Sequence, residues 1–250
     1  METPDWTKLT VDPVDEVVRS NVVGYLNRIR KGLPNNDYNV YLESKVLGKD
    51  VLDIGICEHT QERIDSPNWK HNVIRKHSKF SLGIDIIENL VEKLQDKGVN
   101  VAHCDATSDK YLGRKFDVVH AGDVIEHVNS PVALLNFCSR HLEDNGTIIV
   151  RTPNPYCFNY VHLHGVFGTD KSNLEHVYYI CPIHALEIGR RCDLNLTDYY
   201  TLRAGKFTLR GIYTAIRHFL NFDFRHCFAE LFAQDEVYST IFVYEFKKKL

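Results

Sequence analysis

The sequence predicts an α/β fold built on a doubly wound, mostly parallel sheet, and three observations point there. Short β-rich runs alternate with helical patterns from Lys49 to about Thr152. That order produces parallel strands joined by crossover helices. The run Phe116–Ala121 (FDVVHA) is nearly all apolar, as a strand covered on both faces must be. Three runs carry an acid at or just past their carboxyl ends: Asp53, Asp85 and Asp105. In open α/β sheets, ligands bind outside those ends.

The elements follow in order. Val14–Ile29 reads as a helix that packs on the core or caps the site. Asp50–Ile54 (DVLDI) is a short apolar strand ending at an Asp-Ile-Gly turn, and Phe80–Ile84 is the second strand. Glu88–Lys97 is a helix with Leu90, Val91 and Leu94 on one face and Gly98 as its stop. Val99–Cys104 and Phe116–Ala121 are the third and fourth strands. Ser130-Pro131 supplies an N-cap and a first-turn proline for a helix running to about Leu142, before Asn145-Gly146. Thr147–Val150 is the fifth strand. Beyond it Ile183–Cys192 reads as a helix, and Leu196–Leu202 and Val237–Phe246 as a final pair of strands on the same sheet.

Composition narrows the function. The 250 residues carry a net charge of −3, whereas proteins that grip nucleic acid by charge show a basic excess. The Lys247-Lys248-Lys249 tail reads as a solvated end. The seven cysteines (57, 104, 138, 157, 181, 192 and 227) show no CxxC spacing, which speaks for reduced, buried thiols in a cytoplasmic protein over a disulfide framework or zinc ribbon. Met1–Thr10 is polar and acidic, so no secretory signal is expected, and no apolar run approaches a membrane span. The aromatics are uneven: from Pro155 onward stand ten of the 13 Phe and nine of the 13 Tyr.

The first strand-end loop discriminates between cofactors. A dinucleotide loop needs G-x-G-x-x-G so that backbone can approach pyrophosphate. Here Asp53-Ile54-Gly55-Ile56-Cys57-Glu58-His59 has one glycine flanked by acids. Asp53 and Glu58 repel a pyrophosphate and suit a cofactor bearing an amino group and a sulfonium. The loop therefore favours S-adenosylmethionine over NAD, FAD or ATP. An acid after the second strand, Asp85, is placed to grip ribose hydroxyls, and Asp105 to accept from the adenine amine.

With these residues on the page, the chain resembles class I S-adenosylmethionine-dependent methyltransferases, whose sheet is Rossmann-like. Val51–Gly55 resembles the first motif of that family, Leu82–Ile86 the second, and His103–Thr107 the adenine-side motif. Phe116–Leu135 and Gly146–Pro155 resemble a narrower branch that includes ubiquinone-type O-methyltransferases and methyltransferases encoded beside glycan-assembly genes. The resemblance covers roughly residues 49–185. It implies that Asp53 and Gly55 hold the methionine end, that Asp85 with Ile86 meets the ribose, that Asp105 and Ala106 line the adenine, and that Ala121-Gly122 passes under the methionine portion. The chain departs from the family at Cys57 and His59, where further glycines are usual.

The expected organisation is one domain over 1–250. Residues 1–48 form an N-terminal helical cap, 49–152 a cofactor-binding core, and 153–250 the aromatic acceptor-pocket elements with the last strands. Asn154–Phe232 is the expected acceptor region. Methyl transfer relies on positioning, and a hydroxyl acceptor also needs a base. His127, after the fourth strand and beside Glu126, is the first candidate, since imidazole titrates near neutrality. His176 is the second. His162-x-His164 with His176 and Glu175 could be drawn as a metal set, but accidental pairs are expected among 13 histidines, and no metal is expected. The expected activity is methylation of a small-molecule or saccharide hydroxyl, with no nucleic-acid partner and a homodimer left open. The rivals are a non-catalytic binding module, motivated by Cys57 and His59, a nucleic-acid methyltransferase, and an NAD-dependent oxidoreductase. Asp123-Val124-Ile125 lacks the Asn/Asp-Pro-Pro-aromatic signature of the second, and the first loop disfavours the third.

Overall fold

A computed structural model describes residues 3–67, 69–157, 173–202 and 235–249, with isolated positions between 160 and 168 and at 216 and 220. His162 and most of the expected acceptor region between 203 and 234 lie outside the described residues.

The strands are β1 (Arg30–Gly32), β2 (Asp50–Ile54), β3 (Phe80–Asp85), β4 (Val101–His103), β5 (Phe116–Gly122), β6 (Leu142–Pro153), β7 (Leu194–Thr201) and β8 (Ile241–Lys248). The helices are α1 (Glu16–Ile29), α2 (Tyr38–Val46), α3 (Gln61–Ile64), α4 (Lys70–His77), α5 (Glu88–Asp96), α6 (Pro131–Arg140), α7 (Pro182–Arg191) and α8 (Asp235–Tyr238). One sheet has the order β1-β7-β8-β6-β5-β2-β3-β4. β6-β5-β2-β3-β4 run parallel, and β8 is antiparallel to both its neighbours, β6 and β7. The expected α/β, mostly parallel sheet is therefore present, with the last two strands on it.

Winding proceeds outward from β2 to β3 and β4, and in the other direction from β5 to β6. The switch point is the β2/β5 pair, where a crevice opens beyond the strand ends. Alternate side chains of these strands go to opposite layers. Leu52 and Val119 join Leu134 and Phe137 of α6 on one face, while Val51 and Val118 join Tyr41 and Leu42 of α2 and Ile74 of α4 on the other. Both faces are sealed, which is why the central runs are apolar throughout.

Helix α6 starts as its sequence dictates: Pro131 opens it, and Ser130 Oγ accepts from the Ala133 amide at 3.1 Å. β6 is longer than the Thr147–Val150 run because Asn145-Gly146 is taken up inside the strand. Phe116 pairs with Leu142 but Val118 pairs with Thr147, so the extra residues bulge out. Glycine is required there, since a Cβ on Gly146 would stand 2.9 Å from the Asp117 carbonyl. The final strand begins at Ile241 because Asp235–Tyr238 forms a helical turn instead.

The six cysteines among the described residues are all buried and unpaired. Among the described residues, no helix is long and apolar enough to cross a membrane.

Leu52 is fully buried in the central strand. Leu52→Ala should cost about 2–5 kcal/mol in urea unfolding, against less than about 0.5 kcal/mol for Leu9→Ala at an exposed position.

Candidate active site

A cavity of about 950 Å³ opens at the switch point. At one end it is lined by Asp53, Gly55, Asp85, Ile86, Asp105 and Ala106. At the other it is lined by Glu126, His127, Glu175 and His176, with Gly122 and Asp123 between. Nine of the ten residues expected to contact cofactor or acceptor thus border one space. The exception is Ala121, which is fully buried in the core beneath it; Gly122, next in β5, is the one that reaches the crevice.

The first loop holds its shape with one glycine. Gly55 has φ +77°, and a Cβ there would strike Val124 Cγ2 at 2.3 Å, so glycine is needed for conformation and for space. Glu58 and His59 take φ +46° and +68° with side chains on, where other family members are expected to use glycine. The loop is tied down instead by the Cys57 amide donating to Asp85 Oδ2 at 2.8 Å and by Trp69 Nε1 donating to the Ile56 carbonyl at 2.6 Å. Asp85 Oδ1 also accepts from the Ile87 amide at 3.0 Å. Asp85 is therefore a loop anchor as well as a crevice acid. The Cys57 thiol is buried, and burial with the nearby Asp85 pushes its pKa up, so it stays protonated.

Asp53 sits deeper than a simple ligand contact. It is 3% exposed, and the two imidazoles occupy both its oxygens. His120 Nδ1 donates to Oδ1 at 2.5 Å and His71 Nδ1 to Oδ2 at 2.7 Å. Burial works to raise its pKa; the adjoining His120 and His71 imidazoles, through electrostatic attraction and hydrogen bonds, outweigh it and hold the carboxyl well below the usual range. The network continues to Tyr38, whose hydroxyl is hydrogen-bonded to His120 Nε2 at 2.6 Å. Asp123, with a left-handed backbone (φ +56°), is paired with Lys70 at 3.0 Å and with Arg151.

The other end is assembled from two loops. The Glu126 carbonyl accepts from the Val177 amide at 2.8 Å and the Tyr178 amide at 3.3 Å, and Tyr178 Oη donates to the Asn129 carbonyl at 3.2 Å. These bonds lay residues 173–180 across the β5–α6 loop, so that the His127 and His176 rings meet edge-on at 4.7 Å. The Glu175 carboxylate stands 3.6 Å from His59 Nδ1 and 3.9 Å from His127 Nδ1, within ion-pair reach but beyond hydrogen bonding. Burial, with His176 and His59 nearby, lowers the His127 pKa and keeps the ring neutral at pH 7.

Glu126 was legible only as a neighbour of His127, yet it is fully buried and central. Its Oε2 accepts from Thr152 Oγ1 at 3.1 Å, while Oε1 has no hydrogen-bond partner among the described residues. Burial first, then Asp123, push its pKa up to about 7. Glu126, His127 and His176 offer ligand atoms that all lie within 4.8 Å of one another. Ligands on one ion stand roughly 3–4 Å apart, and two imidazoles with a carboxylate suit zinc, manganese or iron.

Residues 41–197 match the family model of the methyltransferase domain. The chain belongs to the methyltransferase domain family. A ubiquinone biosynthesis O-methyltransferase of Methylococcus capsulatus is 33% identical over 89 residues, 32% of this chain and 37% of that protein; the match thus spans little more than a third of the relative. A SAM-dependent methyltransferase of Archaeoglobus fulgidus superposes with TM-score 0.54 at 17% identity, covering 92% of this chain and 94% of that one. The magnesium protoporphyrin IX methyltransferase of Synechocystis PCC 6803, solved with bound SAH, gives TM-score 0.52 at 14% identity over 98% and 93%. At these identities the two structures show a shared fold.

Glu126 gives a pH signature. A carboxyl with a folded pKa near 7 and an ordinary unfolded one destabilises the fold as pH rises from about 4.5 to 7, where the buried form must ionise. In chelator, Glu126→Gln should therefore be more stable than wild type above pH 7, by up to about 3 kcal/mol, with the gap closing toward pH 4.5. Denaturation midpoints measured across that range give the sign directly.

Proposed function

We propose that the protein transfers a methyl group from S-adenosylmethionine to a hydroxyl oxygen of a small-molecule or saccharide acceptor. The observation that carries this reading is one cavity with nucleoside-type acids at one end and a Glu-His-His cluster at the other. The residues fit the cofactor: three strand-end acids, Asp53, Asp85 and Asp105, border the crevice, Gly55 lets the first loop turn tightly against Val124, and the Cys57 and Trp69 hydrogen bonds keep that loop in place. Bound there, S-adenosylmethionine supplies an electrophilic methyl on a sulfonium.

The chain's own residues do the rest. Asp85 accepts from ribose hydroxyls with lone pairs beyond those taken by Cys57 and Ile87, since a carboxylate has about four acceptor sites. Asp105 and Ala106 border the adenine, and the exposed Ile86 gives an apolar surface beside it. His127, held neutral by burial, takes the proton from the acceptor hydroxyl. His176, laid over it by the Glu126 carbonyl, narrows the approach. The O-methyltransferase name of the Methylococcus relative supports oxygen as acceptor atom.

A second reading of the same end is favoured by the buried, unpartnered Glu126 Oε1. A divalent cation on Glu126, His127 and His176 would hold the acceptor oxygen and lower its pKa. Chelator-treated protein titrated with Mn²⁺ or Zn²⁺ should then bind one ion per chain, and His176→Ala and Glu126→Gln should abolish it. A flat titration leaves His127 as the base and removes the metal.

Calorimetry with S-adenosylhomocysteine should show one site. Asp85→Asn should weaken it tenfold or more while the fold persists, and unchanged affinity would take the ribose role from Asp85. Acceptor screening by mass spectrometry, reading a methyl gain, tests the activity. His127→Ala should lower kcat by about 10²–10⁴ with cofactor affinity intact; wild-type turnover in that variant removes His127 as base. No binding of S-adenosylhomocysteine at all would favour the non-catalytic binding module.

A further inference from the structure

Around the buried Asp53 stand four ring nitrogens, and three have partners. His120 uses Nδ1 on Asp53 and Nε2 on Tyr38, and His71 uses Nδ1 on Asp53. The fourth, His71 Nε2, is buried with no hydrogen-bond partner among the described residues. His71 is 1% exposed, yet it borders the cavity at the cofactor end. A buried nitrogen left unpaired is costly in a folded protein, and such a group calls for an explanation, a bound ligand among them.

We infer that His71 Nε2 is the acceptor for the amino group at the methionine end of the cofactor, and that Asp53 acts through His71 as a positioning residue. This rests on the S-adenosylmethionine reading above. A carboxylate only accepts hydrogen bonds, so His71 Nδ1 carries the proton facing Asp53. With that proton on Nδ1, the imidazole can offer the Nε2 lone pair to an N–H or O–H donor. The ribose hydroxyls have Asp85 at the end of β3, whereas His71 lies over the β2/β3 pair where Asp53 and Gly83 are register partners. A Cβ on Gly83 would meet Ile56 Cδ1 at 2.7 Å, Val101 Cγ1 at 3.0 Å and His71 Cε1 at 3.2 Å, so the His71 ring packs close over that glycine. Glycine in β3 thus leaves space for the ring beside Ile56 and Val101. The Trp69 ring stands 5.0 Å from that of His71, tilted by 52°. A cationic amine at Nε2 also meets the negative charge of Asp53 through one imidazole, at a depth where bulk water does not screen it.

The probes are S-adenosylhomocysteine and its analogue lacking the amino group, with affinities measured by calorimetry. Wild-type protein should prefer the first by tenfold or more. His71→Asn keeps an N–H near the Nδ1 position, facing Asp53, and deletes the Nε2 position. It should bind both probes alike, at the wild-type affinity for the analogue. His71→Gln places an amide near Nε2 and should restore part of the preference. In wild-type protein the ¹⁵N resonance of His71 Nε2 should move on adding S-adenosylhomocysteine and stay when the analogue is added; this readout needs no variant to fold. A wild-type preference surviving in His71→Asn, an equal loss for both probes, or a ¹⁵N resonance blind to the amino group each overturns the assignment. If wild-type protein binds neither probe, the cofactor reading falls and takes this inference with it; binding of both without preference sinks the inference alone.

Discussion

A carboxylate held almost out of water, at the point where the sheet reverses its direction of winding, constrains everything around it. Asp53 cannot be left there uncompensated, because an unpaired buried charge costs several kcal/mol. Its two oxygens are met from opposite sides by His120, its register partner on β5, and by His71 from the first turn of α4. Satisfying Asp53 therefore fixes the β2–β5 junction and the start of α4 together. Tyr38 of α2 extends the same network from above the sheet. Three elements far apart in sequence converge on one acid, and the crevice is the space they leave beyond the strand ends.

That convergence also explains what was readable from the chain. The strands β2, β3 and β5 announce themselves because each is apolar and each ends at an acid or a glycine. α5 and α6 carry their own stop and start signals in Gly98 and Ser130-Pro131. The cofactor end of the site was legible for the same reason: its acids follow local strand ends. The partners of Asp53 were not, since His71 and His120 stand 18 and 67 residues away and look like ordinary polar interruptions. α2 was missed because its four buried residues, Tyr38, Tyr41, Leu42 and Val46, include two tyrosines with polar ends. Ala121 faces the core beneath the cavity while Gly122 borders it, because neighbouring residues of a strand point to opposite sides. At the other end, His127 and His176 could be named singly. Their meeting depends on backbone bonds from Val177 and Tyr178 to one carbonyl, which no side-chain pattern records.

The missing glycines of the first loop make physical sense within this frame. A left-handed backbone costs a residue with a Cβ about 1–2 kcal/mol, and Glu58 and His59 both adopt it. Such strain persists only where surrounding contacts over-determine it. Here the Cys57 amide is fixed on Asp85 and the Ile56 carbonyl on Trp69, so the peptide just ahead of the strained pair is held at both its polar groups. In return the side chains at 58 and 59 become available. His59 lies 5.8 Å from the His127 ring and within ion-pair reach of Glu175. A loop of glycines would reach the cofactor equally well and contribute nothing to the opposite wall. With His59 in it, the cofactor loop is also a wall of the acceptor end. His59 thus stands in the first loop and beside His127 and Glu175 at once.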